Sequence, residues 1–363
     1  MSLSVLCVIG TRPEAIKMAP VIRALRGDRR FRVRVLATAQ HRDLLDQVLA
    51  AFGIAPDIDL GVMRPAQGLG ALTGRLIEGL DAALAREAPD VVLAQGDTTT
   101  VFATALAAFY RRVPFGHVEA GLRTGDLAAP FPEELNRVLI APMARWHFAP
   151  TAGAAAALRA EGIPPERVHV TGNTVIDALL QAPPPADARS AAPFAPRQIL
   201  VTLHRRENFG RPLERILAAI AGLLDDHRDC GVLLPVHPNP AVGPVVRARL
   251  GGHPRVRLVP PLGYAEFVAA MRASYLILTD SGGVQEEAPA LGVPVLVLRE
   301  ATERPEAIAA GVARLVGTRA AAIRRAAGAL LSDPEARARM ATGASPYGDG
   351  KAAARIVGIL AAA

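Results

Sequence analysis

A chain of 363 residues exceeds the size at which a single hydrophobic core stops growing, so two domains are expected. Apolar residues make up 51%, no run approaches the roughly 20 needed to span a bilayer, and the amino-terminal MSLSVLCVIG has no basic leader; a cytoplasmic protein without signal peptide or membrane segment is expected. The net charge of +7 comes from arginines spread along the whole chain without a basic block interleaved with aromatics, which argues against a nucleic-acid partner and leaves room for a small anionic ligand.

Leu3 to Ile9 is a continuous apolar run that predicts a strand. GTRPEAIKMAPVIRAL then supplies a turn, a proline suited to a first helical turn, and apolar residues at helical spacing. The loop between them is neither a GxGxxG dinucleotide fingerprint nor a P-loop, so bound NAD or ATP is not indicated. Arg12 and Lys17 flank a helix start, where the peptide dipoles favour anions, and are candidates to hold phosphate; the alternative is a solvated helix face. Only Lys17 and Lys351 among the 41 basic residues are lysines, a hint that position 17 wants a point charge. Val33 to Ala37 predicts a second strand, with Gln40, His41 and Arg42 at its carboxyl end and an amphipathic helix over 40–54. Leu69 to Arg86 is helical in pattern, and Asp90 to Ala94 returns to strand before Gln95, Gly96, Asp97 and three threonines. Asp97 either caps the following helix or faces a crevice shared with Arg12 and Glu119. Val113 to Val118 predicts a buried strand ending at Glu119, and strand ends of an open α/β sheet are where ligands bind. A helix after Pro132 would put Glu133, Asn136 and Arg137 on one face. Two carboxylates beside glycines and arginines give the stretch from His117 to Arg137 a catalytic rather than a core composition.

Trp146 to Ala149 predicts a short strand, and Val168 to Val170 leads into Thr171, Gly172 and Asn173. QAPPPADARSAAPFAP reads as a linker. The domain boundary is therefore expected between Thr171 and Pro196, with domains 1–171 and 172–349; the helix of SPYGDGKAAARIVGIL, residues 350–363, is expected to rejoin the first. In the second series, the strand from Gln198 to Leu203 ends in His204, Arg205, Arg206, Glu207 and Asn208, a polar run that suggests a binding loop. Val232 to Val236 ends in His237, and Arg255 to Val259 precedes a helix from Tyr264. Tyr275 to Thr279 leads into DSGGVQEEAPALG, where successive amides of Ser281, Gly282 and Gly283 at a helix start would make a phosphate nest. Glu287, one turn in, can accept hydrogen bonds from vicinal hydroxyls such as those of a ribose; a tight turn with a capping carboxylate is the alternative. Pro294 to Leu298 is the last strong strand, closed by Thr302, Glu303, Arg304 and Pro305. Cys7 lies in a strand and Cys230 just before another, matching neither a disulfide framework nor a metal cluster, so both are expected to be buried and inert. The chain reads as α/β, two Rossmann-like doubly wound domains with a ligand cleft between them.

Taken together, GTRPEAIKMAP, QGDTTT, HVEAGLRTGDL, PEELNR, TGNTVIDAL, HRREN, DSGGVQEEAPALGVPVL and ERPEA resemble the non-hydrolysing bacterial UDP-N-acetylglucosamine 2-epimerases, in the same order and over nearly the whole chain. The resemblance implies a GT-B fold with the active site in the interdomain cleft, UDP-GlcNAc, UDP-ManNAc and UDP as ligands, no cofactor or metal, and a homodimer. It implies Asp97, Glu119 and Glu133 as catalytic carboxylates and His204 with them. Arg12, Lys17, Arg137, Phe267, Ser281, Gly282, Gly283, Glu287 and Arg304 would bind substrate, Phe267 beside the uracil and Glu287 on the ribose. Leu262 stands where relatives often carry a glutamine near the base. A regulatory UDP-GlcNAc site is implied at Gln40, Arg205 and His237 with Glu133, although Asp43 and Ala66 depart from its pattern.

Such an enzyme removes a weakly acidic C2 proton, expels UDP by anti elimination to give 2-acetamidoglucal, and re-adds UDP after protonation from the other face. One base and one acid are needed, which accounts for more than one carboxylate, and burial is expected to raise at least one carboxyl pKa toward neutrality. Other activities fit the same fold: a hydrolysing epimerase releasing UDP and ManNAc, an epimerase of a diacetamido sugar nucleotide, a GT-B glycosyltransferase, or a non-catalytic sensor. Three converging carboxylates argue against the last two.

Overall fold

The long apolar runs form strands buried on both faces, as parallel sheets require. The computed structural model describes residues 2–38, 48–64, 67–185, 192–302 and 304–362. Gln40, His41, Arg42, Asp43, Ala66 and Glu303 lie outside the described residues, as does most of the helix expected over 40–54. Internal contacts divide the chain into two units, one running up to Gln181 and resuming at Tyr347, the other Ala182–Pro346.

In the first unit, β1 (Leu3–Ile9), β2 (Phe31–Ala37), β3 (Ile58–Asp59), β4 (Val91–Gln95), β5 (Phe115–Val118), β6 (Trp146–Ala149) and β7 (Val168–Val170) form one sheet. Its order is β3-β2-β1-β4-β5-β6-β7, parallel throughout. Helices α1 (Arg12–Arg26), α2 (Leu69–Glu87), α3 (Thr99–Tyr110), α4 (Glu133–Ile140), α5 (Ala152–Ala160) and α6 (Thr174–Leu180) connect the strands or follow them. The order reverses between β1 and β4, so the loops after these strands flank the crevice where doubly wound sheets take ligands. Close approach there demands a glycine: a Cβ on Gly10 would lie 2.4 Å from Thr100 Oγ1. Gly121, at φ +92°, is equally constrained, since a Cβ would meet the Ala154 carbonyl oxygen at 2.3 Å.

The second unit repeats the plan. Strands β8 (Arg197–Thr202), β9 (Cys230–Pro235), β10 (Val256–Val259), β11 (Leu276–Thr279), β12 (Val295–Val297) and β13 (Ala313–Leu315) are parallel, ordered β10-β9-β8-β11-β12-β13, and the switch point falls between β8 and β11. Helices α7 (Arg211–Asp226), α8 (Gly243–Leu250), α9 (Tyr264–Arg272), α10 (Gly282–Ala290), α11 (Pro305–Ala309), α12 (Ala320–Ser332) and α13 (Pro334–Met340) complete it. Ile199, Val201, Ile216, Ile220, Leu223 and Leu276 are among its fully buried core side chains.

The last helix, α14 (Ala352–Ala361), returns to the first unit. Asp177, buried in α6, accepts the opening amides of α14 from Ala352 (3.1 Å) and Ala353 (2.9 Å), and Asn173 N–H donates to the Tyr347 carbonyl at 2.6 Å. Two short strands, β3 and β13, add to the expected set, the second of them after Val295–Val297. Cys230 opens β9 instead of preceding it. Both cysteines are buried free thiols, and burial pushes the Cys7 thiol up to about 12 and raises that of Cys230. Among the described residues, no helix is long and apolar enough to cross a membrane.

Replacing Asp177 by alanine leaves the first amides of α14 without their acceptor. Thermal and urea unfolding should show a loss of about 1–2 kcal/mol, the usual cost of a deleted cap, together with earlier proteolysis of the carboxyl-terminal helix.

Candidate active site

Glu119 follows β5 directly, at φ +64°, a left-handed conformation that a non-glycine residue adopts only when its surroundings hold it there. Those surroundings are polar donors. Lys17 Nζ, from the second turn of α1, donates to both carboxylate oxygens at 2.6 and 2.7 Å; Gln95 Nε2, at the end of β4, donates to Oε2; and Asn173 Nδ2 donates to Oε1 at 3.3 Å. The ion pair is nearly dry, with side-chain exposures of 14% for Lys17 and 4% for Glu119. Asn173 also caps α6, its Oδ1 accepting the Val175 amide.

The loop after β4 carries the next carboxylate. Asp97 does not cap α3, whose N-cap is Thr98; its carboxylate instead accepts from Arg137, Nε at 2.9 Å and Nη2 at 2.7 Å. Asn136 Nδ2 holds the Asp97 carbonyl at 2.7 Å, so neighbouring residues of α4 clamp both ends of the same aspartate. His117 supports the loop from below. Burial holds its pKa down, to about 4, and Nε2 of the neutral ring donates to the Gly96 carbonyl at 2.7 Å, since a carbonyl can only accept.

Of the two adjacent glutamates in PEELNR, Glu134 is the buried one. It accepts the Thr124 and Gly125 amides at 2.9 and 3.0 Å and Arg137 Nη1 at 2.8 Å. Burial pushes its carboxyl up, but the two amides and the guanidinium outweigh it and hold the group below the usual range. Glu133 opens α4 and is half-buried. Arg12 sits half-exposed at the first turn of α1.

Glu14 was not singled out by sequence reading, although it is the carboxyl group pushed up to about 7. It is buried, accepts the Gly10 and Thr11 amides at 2.5 and 3.2 Å, and takes the Thr98 hydroxyl at 2.7 Å. Desolvation dominates because these donors are neutral. Glu14 thereby ties the loop after β1 to the loop after β4.

At the switch point of the second unit, His204 and Arg205 follow β8, and Asp280 and Ser281 follow β11. Asp280 is fully buried and accepts the His204 and Arg205 amides at 3.1 Å, His204 Nδ1 at 2.9 Å and Asn208 Nδ2 at 3.0 Å. Burial raises its carboxyl, but these donors outweigh it and hold the group below the ordinary range. The Ser281 amide is already donated to Thr279 Oγ1 at 2.9 Å, which leaves the Gly282, Gly283 and Val284 amides at the start of α10 without a carbonyl inside the helix. Two guanidiniums flank them: a Cβ on Gly282 would lie 3.5 Å from Arg205 Nη2 and 3.8 Å from Arg304 Cζ. Arg304 is itself oriented by buried Glu286. A helix amino terminus between two guanidiniums is an anion site. Glu287 is buried in the same helix, and Phe267 and Leu262 are half-buried at and before α9.

His237, after β9, has its ring centroid 6.1 Å from that of His204. Its Nδ1 accepts the Asn239 amide at 3.2 Å, and burial, with the nearby His204, holds its pKa down. It lines a pocket of about 440 Å³ with Asn239, Arg247, Val259, Pro260 and Pro261. Gln40, expected beside it in a regulatory site, is outside the described residues.

Two doubly wound units in one chain, with polar strand ends at each switch point, are the two halves of a GT-B fold. A family model described as UDP-N-acetylglucosamine 2-epimerase matches residues 23–361. The chain is 51% identical to the UDP-N-acetylglucosamine 2-epimerase of Salmonella typhimurium, over 98% of this chain and 97% of that one. It is similar to the crystal structure of the Neisseria meningitidis UDP-GlcNAc 2-epimerase bound to UDP-GlcNAc (TM-score 0.91, 45% identity, 99% of each chain). It is also similar to the Methanocaldococcus jannaschii enzyme in complex with UDP-GlcNAc and UDP (TM-score 0.82, 33% identity, 99% of this chain and 100% of that one). The chain therefore belongs to the UDP-N-acetylglucosamine 2-epimerase family.

The Glu14 environment has a pH signature. Because its folded pKa lies above the ordinary 4.5, its contribution to stability is full below that value and is lost as pH rises through about 7. Glu14→Gln removes this titration. The stability of the variant relative to the native protein should therefore rise between pH 4.5 and 7, by up to about 3 kcal/mol, and level off above; urea unfolding across that range measures it.

Proposed function

We propose that the protein interconverts UDP-GlcNAc and UDP-ManNAc by elimination and re-addition of UDP. The observation that carries this reading is the carboxylate cluster of the first unit, Glu119 on Lys17 and Asp97 on Arg137, in a chain whose relatives bind UDP-GlcNAc and UDP. Inverting C2 without a redox step requires a base for the C2 proton and an acid to return one from the opposite face, roles we give to Asp97, Glu119 and Glu133. No hydride moves, so the chemistry needs no nicotinamide.

The nucleotide end of the substrate is given to the second unit. As the C1–O bond breaks, charge grows on the departing diphosphate, and the Gly282 and Gly283 amides with Arg205, Arg304 and His204 supply positive potential for it. Arg12 and Lys17 add to this from the first unit. Phe267 is the proposed platform for uracil and Glu287 the acceptor for ribose hydroxyls. A backbone group replaces the side-chain contact that Leu262 cannot make. We also propose a homodimer, supported by an exposed apolar surface on α3 and α4 where Phe109 and Tyr110 are 59% and 66% exposed and Leu135 and Leu139 37% and 40%. A regulatory UDP-GlcNAc at Gln40, Arg205, Glu133 and His237 is also proposed; of these residues His237 lines a pocket.

Phosphorus and proton NMR of the enzyme with UDP-GlcNAc should show a mixture of two UDP-sugars at equilibrium; stoichiometric free UDP with ManNAc would establish a hydrolysing enzyme instead. Glu119→Gln and Glu133→Gln should each lower turnover by about 10²–10⁴-fold while UDP still binds, and full activity in either variant removes that residue from proton transfer. If the regulatory site operates, UDP-ManNAc alone reacts slowly until a trace of UDP-GlcNAc is added, and equal rates with and without the trace exclude it.

A further inference from the structure

Asp280 lies one residue beyond β11 and is fully buried, and its carboxylate takes its hydrogen bonds from the segment that follows β8. Its Oδ1 receives the His204 amide at 3.1 Å and His204 Nδ1 at 2.9 Å. Its Oδ2 receives the His204 and Arg205 amides at 3.1 Å and Asn208 Nδ2 at 3.0 Å. Asn208 is pinned in turn, since the same nitrogen donates to the Leu298 carbonyl at 3.1 Å. A carboxylate can accept all of these bonds and an amide cannot. His204, by contrast, keeps its side chain 36% exposed, so one edge of the ring is fixed in the protein and the other is turned outward.

We propose that Asp280 is a positioning residue for His204. By accepting Nδ1–H it fixes the tautomer and the ring plane and leaves Nε2 as the nitrogen that meets the departing diphosphate. The inference rests on the reading that His204 touches that group. In the neutral ring Nε2 carries the lone pair. In the imidazolium it carries the proton, donated to a phosphate oxygen while the carboxylate on the other edge balances the charge. The groups around the ring fit this role: Asp280 lies at its inner edge, Arg205 follows it in the loop, and His237 faces it from the end of β9 with its Nδ1 already occupied by the Asn239 amide.

Asparagine at position 280 discriminates between positioning and mere packing. Its NH₂ group must replace one carboxylate oxygen. On the Oδ2 side it would confront three donors; on the Oδ1 side it confronts one amide and can donate to His204 Nδ1, driving the proton to Nε2. Asp280→Asn should therefore move His204 from the Nδ1–H to the Nε2–H tautomer, and histidine ¹⁵N NMR reads this directly once the signals are assigned with His204→Asn. The native enzyme alone already tests the geometry, because a neutral His204 protonated on Nε2 overturns the proposal. In turnover, Asp280→Asn and His204→Asn should each lower kcat by about 10²-fold with little change in KM. In the His204→Asn background, Asp280→Asn should cost less than about threefold more, because the two act as one unit. Additive losses, or a fully active Asp280→Asn beside an impaired His204→Asn, would sink the proposal. Undiminished activity in His204→Asn would instead refute the assignment of His204 to the diphosphate. Should Asp280→Asn not fold, the native tautomer and Asp280→Glu decide: Asp280→Glu should keep Nδ1–H and retain more activity than His204→Asn, and the opposite result counts against the proposal.

Discussion

The first unit is organised by one buried ion pair, Lys17 with Glu119. Removing either partner would leave a charge stranded away from water, far costlier than losing a surface pair. The carboxylate gathers α1 through Lys17, the end of β4 through Gln95 and the start of α6 through Asn173, and it sits on a residue with positive φ after β5. Asn173 in turn donates its own amide to the Tyr347 carbonyl. The segment that returns from the far end of the chain is thus joined, through one asparagine, to the group proposed to work on the sugar.

Each switch point contains a buried carboxylate enclosed by donors, and the two behave oppositely because their donors differ. Glu14 receives two amides and a hydroxyl, all neutral, and desolvation wins; its carboxyl rises to about 7. Asp280 receives an imidazole, amides and a side-chain amide, and stays below its ordinary range although it too is buried. The first suits a group that joins two loops. The second suits a permanent anion beneath a histidine.

Much of this could be read from residues alone. Continuous apolar runs marked the long strands because parallel strands covered on both faces leave no room for alternation, and the polar residues after those runs fell on the switch points. Strands of two or three residues, Ile58–Asp59 and Ala313–Leu315, carry too little pattern to stand out from a loop. Long-range partners were also illegible. In PEELNR, nothing local separates Glu133 from Glu134; only the fold brings the Thr124 and Gly125 amides to one of them. Asp97 kept a helix cap as its alternative reading until Arg137 appeared beside it, forty positions on. Glu14 was not singled out, because its role in joining two loops depends on Thr98 arriving from another loop. Asp280, quoted within a glycine-loop motif, gave no sign that its donors come from the end of another strand.

The central claim is that proton transfer at C2, served by the cluster around Glu119, drives the epimerisation. The most direct measurement is incubation with UDP-GlcNAc in heavy water, followed by NMR of the product. The account predicts UDP-ManNAc carrying deuterium at C2. UDP-ManNAc that retains the original C2 proton would contradict it, as would free UDP and ManNAc as the main products.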